Sequence, residues 1–100
     1  MKNIRQMIDE ECENLKLLLK SKNTSYGDSF FKTLEKYGSS ALCIRMEDKI
    51  NRIATLSKKS EKLTSRAQII NDDERLGDTL LDLAGYAILT KIYLYTWQLL

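Results

Sequence analysis

One hundred residues, 43% of them hydrophobic and 30% charged, with no Pro and no His, bound this chain to a single domain, 1–100, with a modest core. The lack of His excludes a Ser-His-Asp or Cys-His nucleophile pair, an imidazole base and any His-bearing zinc site, and two Cys cannot make a Cys₄ site. Sixteen Lys and Arg against fourteen Asp and Glu leave a net charge of +2, which is no nucleic-acid footprint, so no nucleic-acid partner is expected.

Apolar residues recur at helical spacing throughout, and with no Pro and four Gly nothing interrupts long helices, so an all-α bundle is expected. Ile4, Met7, Ile8, Cys12, Leu15, Leu18 and Leu19 predict an amphipathic helix over 3–20. Glu11 falls inside that stripe, either reaching the surface past a neighbour or entering a polar site as a further acid. Met1 to Arg5 lead into an acidic stretch without an apolar run, so no signal peptide is expected. Ser21 to Ser25 read as a polar break.

The segment from Lys22 to Phe30 reads as a loop entering a helix. Gly27 permits a tight turn, the N–H groups after it can receive an anion, and Tyr26 and Phe30 can stack on a base; the same Gly-Asp-Ser also serves as an ordinary helix cap. Asp28 or Ser29 caps a short helix carrying Phe30, Phe31, Leu34 and Tyr37, which Gly38 ends. Ser39 or Ser40 caps a third helix with the stripe Leu42, Cys43, Met46, Ile50, Ile53 and Leu56. Cys12 and Cys43 are expected as reduced thiols in the core of a cytoplasmic protein. Residues 57–71 read as a solvated connection.

Asp72 or Asp73 caps the last helix, which can run to residue 100. Leu76, Leu80, Leu83, Ala87 and Leu94 share one face, opposite Asp78 and Asp82; beyond Asp82 the opposite face continues as Gly85, Leu89, Ile92 and Tyr93. A helix apolar all round is buried on both sides or lies in a membrane. Asp82 and Lys91 would each cost a few kcal/mol at a bilayer centre, so no membrane partner is expected. One face is assigned to the protomer's own core and the other to a homo-oligomer interface, dimeric or higher.

Glu74, Asp78 and Asp82 stand at i, i+4 and i+8 on one helical face. Asp82, where that face turns apolar, is expected to be partly buried and to find a cation. Asp48 shares a flank of the third helix with Arg45, Lys49 and Arg52, while Glu47 points away. Acids that hold a hard ion, Mg²⁺ or Mn²⁺, beside bases that clamp phosphate oxygens would suit metal–phosphate chemistry. The alternative is an interhelical salt-bridge network from Arg45 or Arg52 to Asp78 or Asp82.

Three blocks carry a resemblance: Lys22-Asn23-x-x-Tyr26-Gly27-Asp28-Ser29-Phe30, Ile44-Arg45-Met46-x-Asp48-Lys49-x-x-Arg52, and Asp78-Thr79-Leu80-Leu81-Asp82-Leu83-Ala84-Gly85-Tyr86-Ala87. Together they resemble the nucleotide-modification-associated domain family, common in phages and prophage-bearing bacteria. That family looks like the all-α nucleoside triphosphate pyrophosphohydrolases of the MazG and dimeric dUTPase type. Glu74-Arg75-Leu76-Gly77-Asp78 is similar to the Glu-Glu-Leu-Gly-Asp run of MazG proteins.

The resemblance implies a cytoplasmic oligomer in a bacterial host, with Asp48, Glu74 and Asp78 as metal ligands and Lys49 and Arg52 on phosphates. Asp82 joins the ligands by helical spacing. Asp48, Asp78 and Asp82 would then be the catalytic acids, and Tyr26, Gly27, Arg45 and Tyr86 would complete the nucleotide site. Two positions depart from the pattern. Ser25 stands where the family has an acid before Tyr-Gly, and the Asp48 cluster replaces a helix with two spaced Glu. The function implied is Mg²⁺-dependent hydrolysis of a nucleoside triphosphate to monophosphate and pyrophosphate. The alternative is a non-catalytic phage protein that sequesters a nucleotide, cyclic and signalling nucleotides included, between protomers. A third reading is a helical module with salt bridges alone.

Overall fold

Asn3 opens the first helix with a reciprocal cap: its side-chain oxygen accepts from the Gln6 N–H and the Gln6 side chain accepts from the Asn3 N–H, both at 2.9 Å. The computed structural model describes residues 1–60 and 74–96, with side chains for 1–56 and 75–96. The described residues form four helices, α1 (Ile4–Tyr26), α2 (Ser29–Tyr37), α3 (Ser39–Ser60) and α4 (Glu74–Tyr95), and no strand. The chain is all-α, as its apolar spacing predicts.

Helix α1 runs six residues past the expected end at residue 20. The polar stretch does not break it because its side chains are locally satisfied. Thr24 Oγ1 donates to the Lys20 carbonyl at 3.0 Å, and Asn23 Nδ2 donates to the Gly27 carbonyl at 2.9 Å. The helix stops at Gly27, whose φ of 62° favours a residue without Cβ. Asp28 takes the N-cap position of α2 without making a side-chain cap bond; its carboxylate accepts from Asn23 Nδ2 at 3.0 Å instead. Gly38, at φ 68°, ends α2, and α3 begins at the next residue, so Ser39 and Ser40 lie inside the helix and not ahead of it. Helix α3 continues to Ser60. The rest of the expected 57–71 connection, the Asp72 or Asp73 cap and residues 97–100 lie outside the described residues.

Helices α3 and α4 form the main contact, with α2 against α3 and α1 against α4. Phe31, Leu34 and Ala41 are buried together, ringed by Phe30, Leu42, Leu89 and Tyr93, and Phe31 meets Tyr93 at 6.0 Å between ring centroids. At Gly85 a Cβ would stand 3.1 Å from Leu19 Cδ2, so this glycine sets how closely α1 approaches α4.

Two expectations about the core change. Cys12 and Cys43 are free thiols but both are exposed, and Ile50 is exposed with Cys43. The inward side of α3 is turned toward Ala41, Leu42, Met46, Lys49, Ile53 and Leu56. On α4 the inward side carries Thr79, Asp82, Gly85, Tyr86, Leu89 and Tyr93, while Leu80, Ile88, Ile92 and Leu94 remain exposed. Helix α1 contributes no fully buried residue. No helix among the described residues is long and apolar enough to cross a membrane.

Candidate functional site

Because α1 extends through the polar stretch, Lys22 and Asn23 are carried on a helix toward α4, and the tight turn at Gly27 folds Phe30 back beside them. A cleft of about 370 Å³ forms between the end of α1, the turn into α2, Arg45 on α3 and the middle of α4. Its floor is apolar, from Leu18, Leu19, Leu81 and Leu89, and Gly85 leaves it open.

The polar wall centres on Asp82. Lys22 Nζ lies 3.1 Å from Asp82 Oδ1, and Lys49 Nζ lies 3.2 Å from Oδ2. The Asp82 side chain is only 26% exposed. Burial alone would raise its carboxyl pKa; the hydrogen bonds and charges of Lys22 and Lys49 outweigh burial and hold it below the ordinary value. The partly buried acid therefore finds cations, as its position predicts, but from Lys22 and Lys49 and not from Arg45 or Arg52.

One turn beyond Asp82 on α4 the lining is aromatic. Phe30 and Tyr86 lie 5.2 Å apart with their planes tilted by 51°. The Arg45 guanidinium sits 5.6 Å from the Phe30 centroid and 5.8 Å from that of Tyr86, and Arg45 Nη1 donates to the Tyr86 hydroxyl at 3.4 Å. Among the described residues no carboxylate pairs with Arg45, so its remaining N–H donors are available to a ligand. Tyr26, 71% exposed, stands at the cleft's edge.

Of the residues expected from sequence, Tyr26, Gly27, Arg45, Asp82 and Tyr86 line this one cleft, and Lys49 touches it through Asp82. The others are elsewhere. Arg52 Nε donates to Thr79 Oγ1 at 3.1 Å. Asp78 lies with Glu11 at a second, shallow depression bordered by Gly77, Leu80 and Ala84, which shares Leu81 with the cleft but holds neither Asp82 nor its lysines, so Glu11 does not join Asp82. Asp48 is exposed on α3, and the Glu74 side chain lies outside the described residues. Among the described residues no three Asp, Glu, Cys or His side chains are grouped to hold a metal ion. With both Asp82 oxygens on ammonium groups, this arrangement does not fit a resident Mg²⁺.

Phe30, expected from sequence as a ring that can stack on a base, lines the cleft, and so does Lys22, which the sequence does not assign to phosphate as it does Lys49. The signal for Lys22 was its place three and four residues after Leu19 and Leu18, visible only once 21–25 is read as helix. Compared with known proteins, the chain matches no family model, no curated protein and no solved structure.

Proposed function

We propose that this chain is a nucleotide-binding protein whose site is the cleft between α1, α3 and α4. The base stacks against the Phe30 and Tyr86 rings, and phosphate oxygens meet the Arg45 guanidinium and the Lys22 ammonium. The observation that carries this reading is Arg45, held over two aromatic rings with its other donors unpaired by any described carboxylate. Two features support it. The cleft volume of about 370 Å³ falls within the range of small-molecule sites. The walls also draw on all three blocks that resemble the nucleotide-modification-associated domain family, although those blocks are far apart in sequence.

Hydrolysis through Mg²⁺ on Asp48, Asp78 and Asp82 would need those acids to gather, whereas binding uses the side chains as they stand. Sequestration of a linear or cyclic nucleotide in the cytoplasm of a phage-bearing host is therefore the favoured role. Assembly into a homo-oligomer accompanies it, since α1 and α4 leave apolar faces uncovered.

A thermal-shift screen across nucleosides, nucleotides and cyclic nucleotides, with and without Mg²⁺, tests the reading. Chromatography of the recovered ligand then separates the outcomes. The expected result is a raised Tm, little dependence on Mg²⁺ and intact ligand. Recovery of monophosphate and pyrophosphate establishes the hydrolase instead, and no shift with any compound leaves a helical module without a nucleotide.

A further inference from the structure

The charges around the cleft are nearly balanced before any ligand arrives. Lys22, Arg45 and Lys49 stand against Asp28 and Asp82, one net positive charge among five charged side chains. Two of the three cations are already committed: Lys22 and Lys49 share the Asp82 carboxylate at 3.1 and 3.2 Å. Arg45 is the cation lining the cleft that no described carboxylate pairs with, and its place over Phe30 and Tyr86 joins the charge to the aromatic wall.

That arrangement sets a limit on ligand charge. One phosphate group brings one to two negative charges, which the net positive charge and Arg45's planar donor set can answer. A triphosphate brings about four and would have to lie beside two carboxylates, Asp28 and Asp82, which repel it. A triphosphate site built from protein charge alone needs an excess of cations, and one built on a metal needs grouped acids. Among the described residues the cleft has a single cation in excess and no such group of acids. Its volume, about 370 Å³, is also at the small end for ligand sites.

We propose that the cleft selects a nucleotide bearing a single phosphate group over the corresponding triphosphate. The proposal rests on the nucleotide-binding reading and narrows it. The base stacks on Phe30 and Tyr86, the one phosphate meets Arg45 with a spare N–H of Lys22, and Asp82 and Asp28 repel further phosphates.

Isothermal titration of the full chain with a matched series tests this. The four deoxynucleosides, their 5′-monophosphates and their 5′-triphosphates are titrated first in chelator and then in Mg²⁺. For the best base, the monophosphate is expected to bind about tenfold or more tighter than both the nucleoside and the triphosphate, in either buffer. Asp28→Asn and Asp82→Asn each remove a negative charge and are expected to shrink the monophosphate preference several-fold. Asp28→Asn keeps the test open if loss of the Asp82 bridges loosens the bundle. A triphosphate that binds as tightly as its monophosphate, or a preference that neither variant changes, overturns the charge limit and leaves the nucleotide reading standing. Absence of heat from all twelve compounds overturns the monophosphate preference, and the thermal-shift screen, which includes cyclic nucleotides, then decides the nucleotide reading.

Discussion

Lys22 and Asp82, sixty residues apart in the chain, meet at 3.1 Å across the gap between α1 and α4. Lys49 takes the second oxygen of the same carboxylate from α3, at 3.2 Å. One acid thus ties three helices together where hydrophobic packing is thin, because α1 has no fully buried side chain. Lys22 is about half exposed, so the pair is partly screened and contributes on the order of 1 kcal/mol or less.

The bridge has a pH signature. The folded protein holds the Asp82 pKa below the unfolded value, so it binds that proton less readily than the unfolded chain does. The contribution to stability is fully present above the unfolded carboxylate pKa and is lost as pH falls through the lower folded one. Asp82→Asn is expected to lower Tm by about 4–8 °C at neutral pH if the network is worth about 1 kcal/mol. The gap between wild type and variant should start to close as pH falls to the unfolded carboxylate value, about 4, and go on closing as it passes below the lower folded one. Thermal melts across that range check it, and a gap independent of pH assigns the acid dependence to another group.

Thr79, three residues before Asp82 on α4, is a buried polar residue, 2% exposed. Its hydroxyl donates to the Arg75 carbonyl at 2.7 Å and accepts from Arg52 Nε at 3.1 Å. Thr79→Val keeps the shape and loses both bonds, with an expected cost of about 1–2 kcal/mol. Thr79→Ser keeps the hydroxyl and should lose less than half of that. Urea unfolding of the two variants distinguishes them, and equal losses would mean that the methyl group, not the hydroxyl, carries the effect.

The helical character of the chain was legible because apolar residues recur every three and four positions and no Pro intervenes. The end of α1 was not, since Ser21 to Ser25 look like a break by residue type while the bonds from Asn23 and Thr24 to nearby carbonyls make them helical. That misreading hid Lys22, which only an extended α1 carries to Asp82. Asp82 itself was legible as a partly buried acid in need of cations, but its partners were not. Helical spacing identifies neighbours on one helix, whereas Lys22 arrives from another by tertiary packing. Arg52 was misplaced for the same reason: it shares a flank with Lys49, yet on a 22-residue helix one further turn carries it to Thr79 and away from the cleft. The carboxylate ladder on α4 separated because Asp78 faces the Glu11 depression while Asp82 faces the cleft.

Arg45 is expected to be sensitive to a change that preserves its charge. A guanidinium lies flat on aromatic rings and offers several donors in one plane, whereas an ammonium does neither. Arg45→Lys should weaken nucleotide binding by about tenfold, and Arg45→Met by more. Neither should cost more than about 1 kcal/mol of stability, because the interaction with Phe30 and Tyr86 is exposed to solvent. Calorimetric titration measures the first effect and thermal melts the second. Full affinity in Arg45→Lys would show that charge alone suffices and that the stacked geometry is incidental.

The uncovered apolar faces lead to a last expectation. Ile88, Ile92 and Tyr95 recur at spacings of four and three along α4 and are 43%, 39% and 72% exposed. Ile4, Met7 and Ile8 do the same on α1, at 68%, 44% and 53%. Single exposed apolar residues are ordinary, but two helical stripes on a chain whose described core has four buried hydrophobic side chains are not. Covering them with a second copy would add apolar burial of about 25 cal/mol per Å², which a chain of this size needs. Sedimentation is expected to show a dimer or larger assembly, with a Tm that rises with protein concentration. Ile88→Asp with Ile92→Asp should yield a monomer of lower Tm, and because neither residue lines the cleft, any loss of nucleotide affinity in that variant measures how far assembly shapes the site. A wild type that stays monomeric at high concentration, with a Tm independent of it, would remove the oligomer from the account.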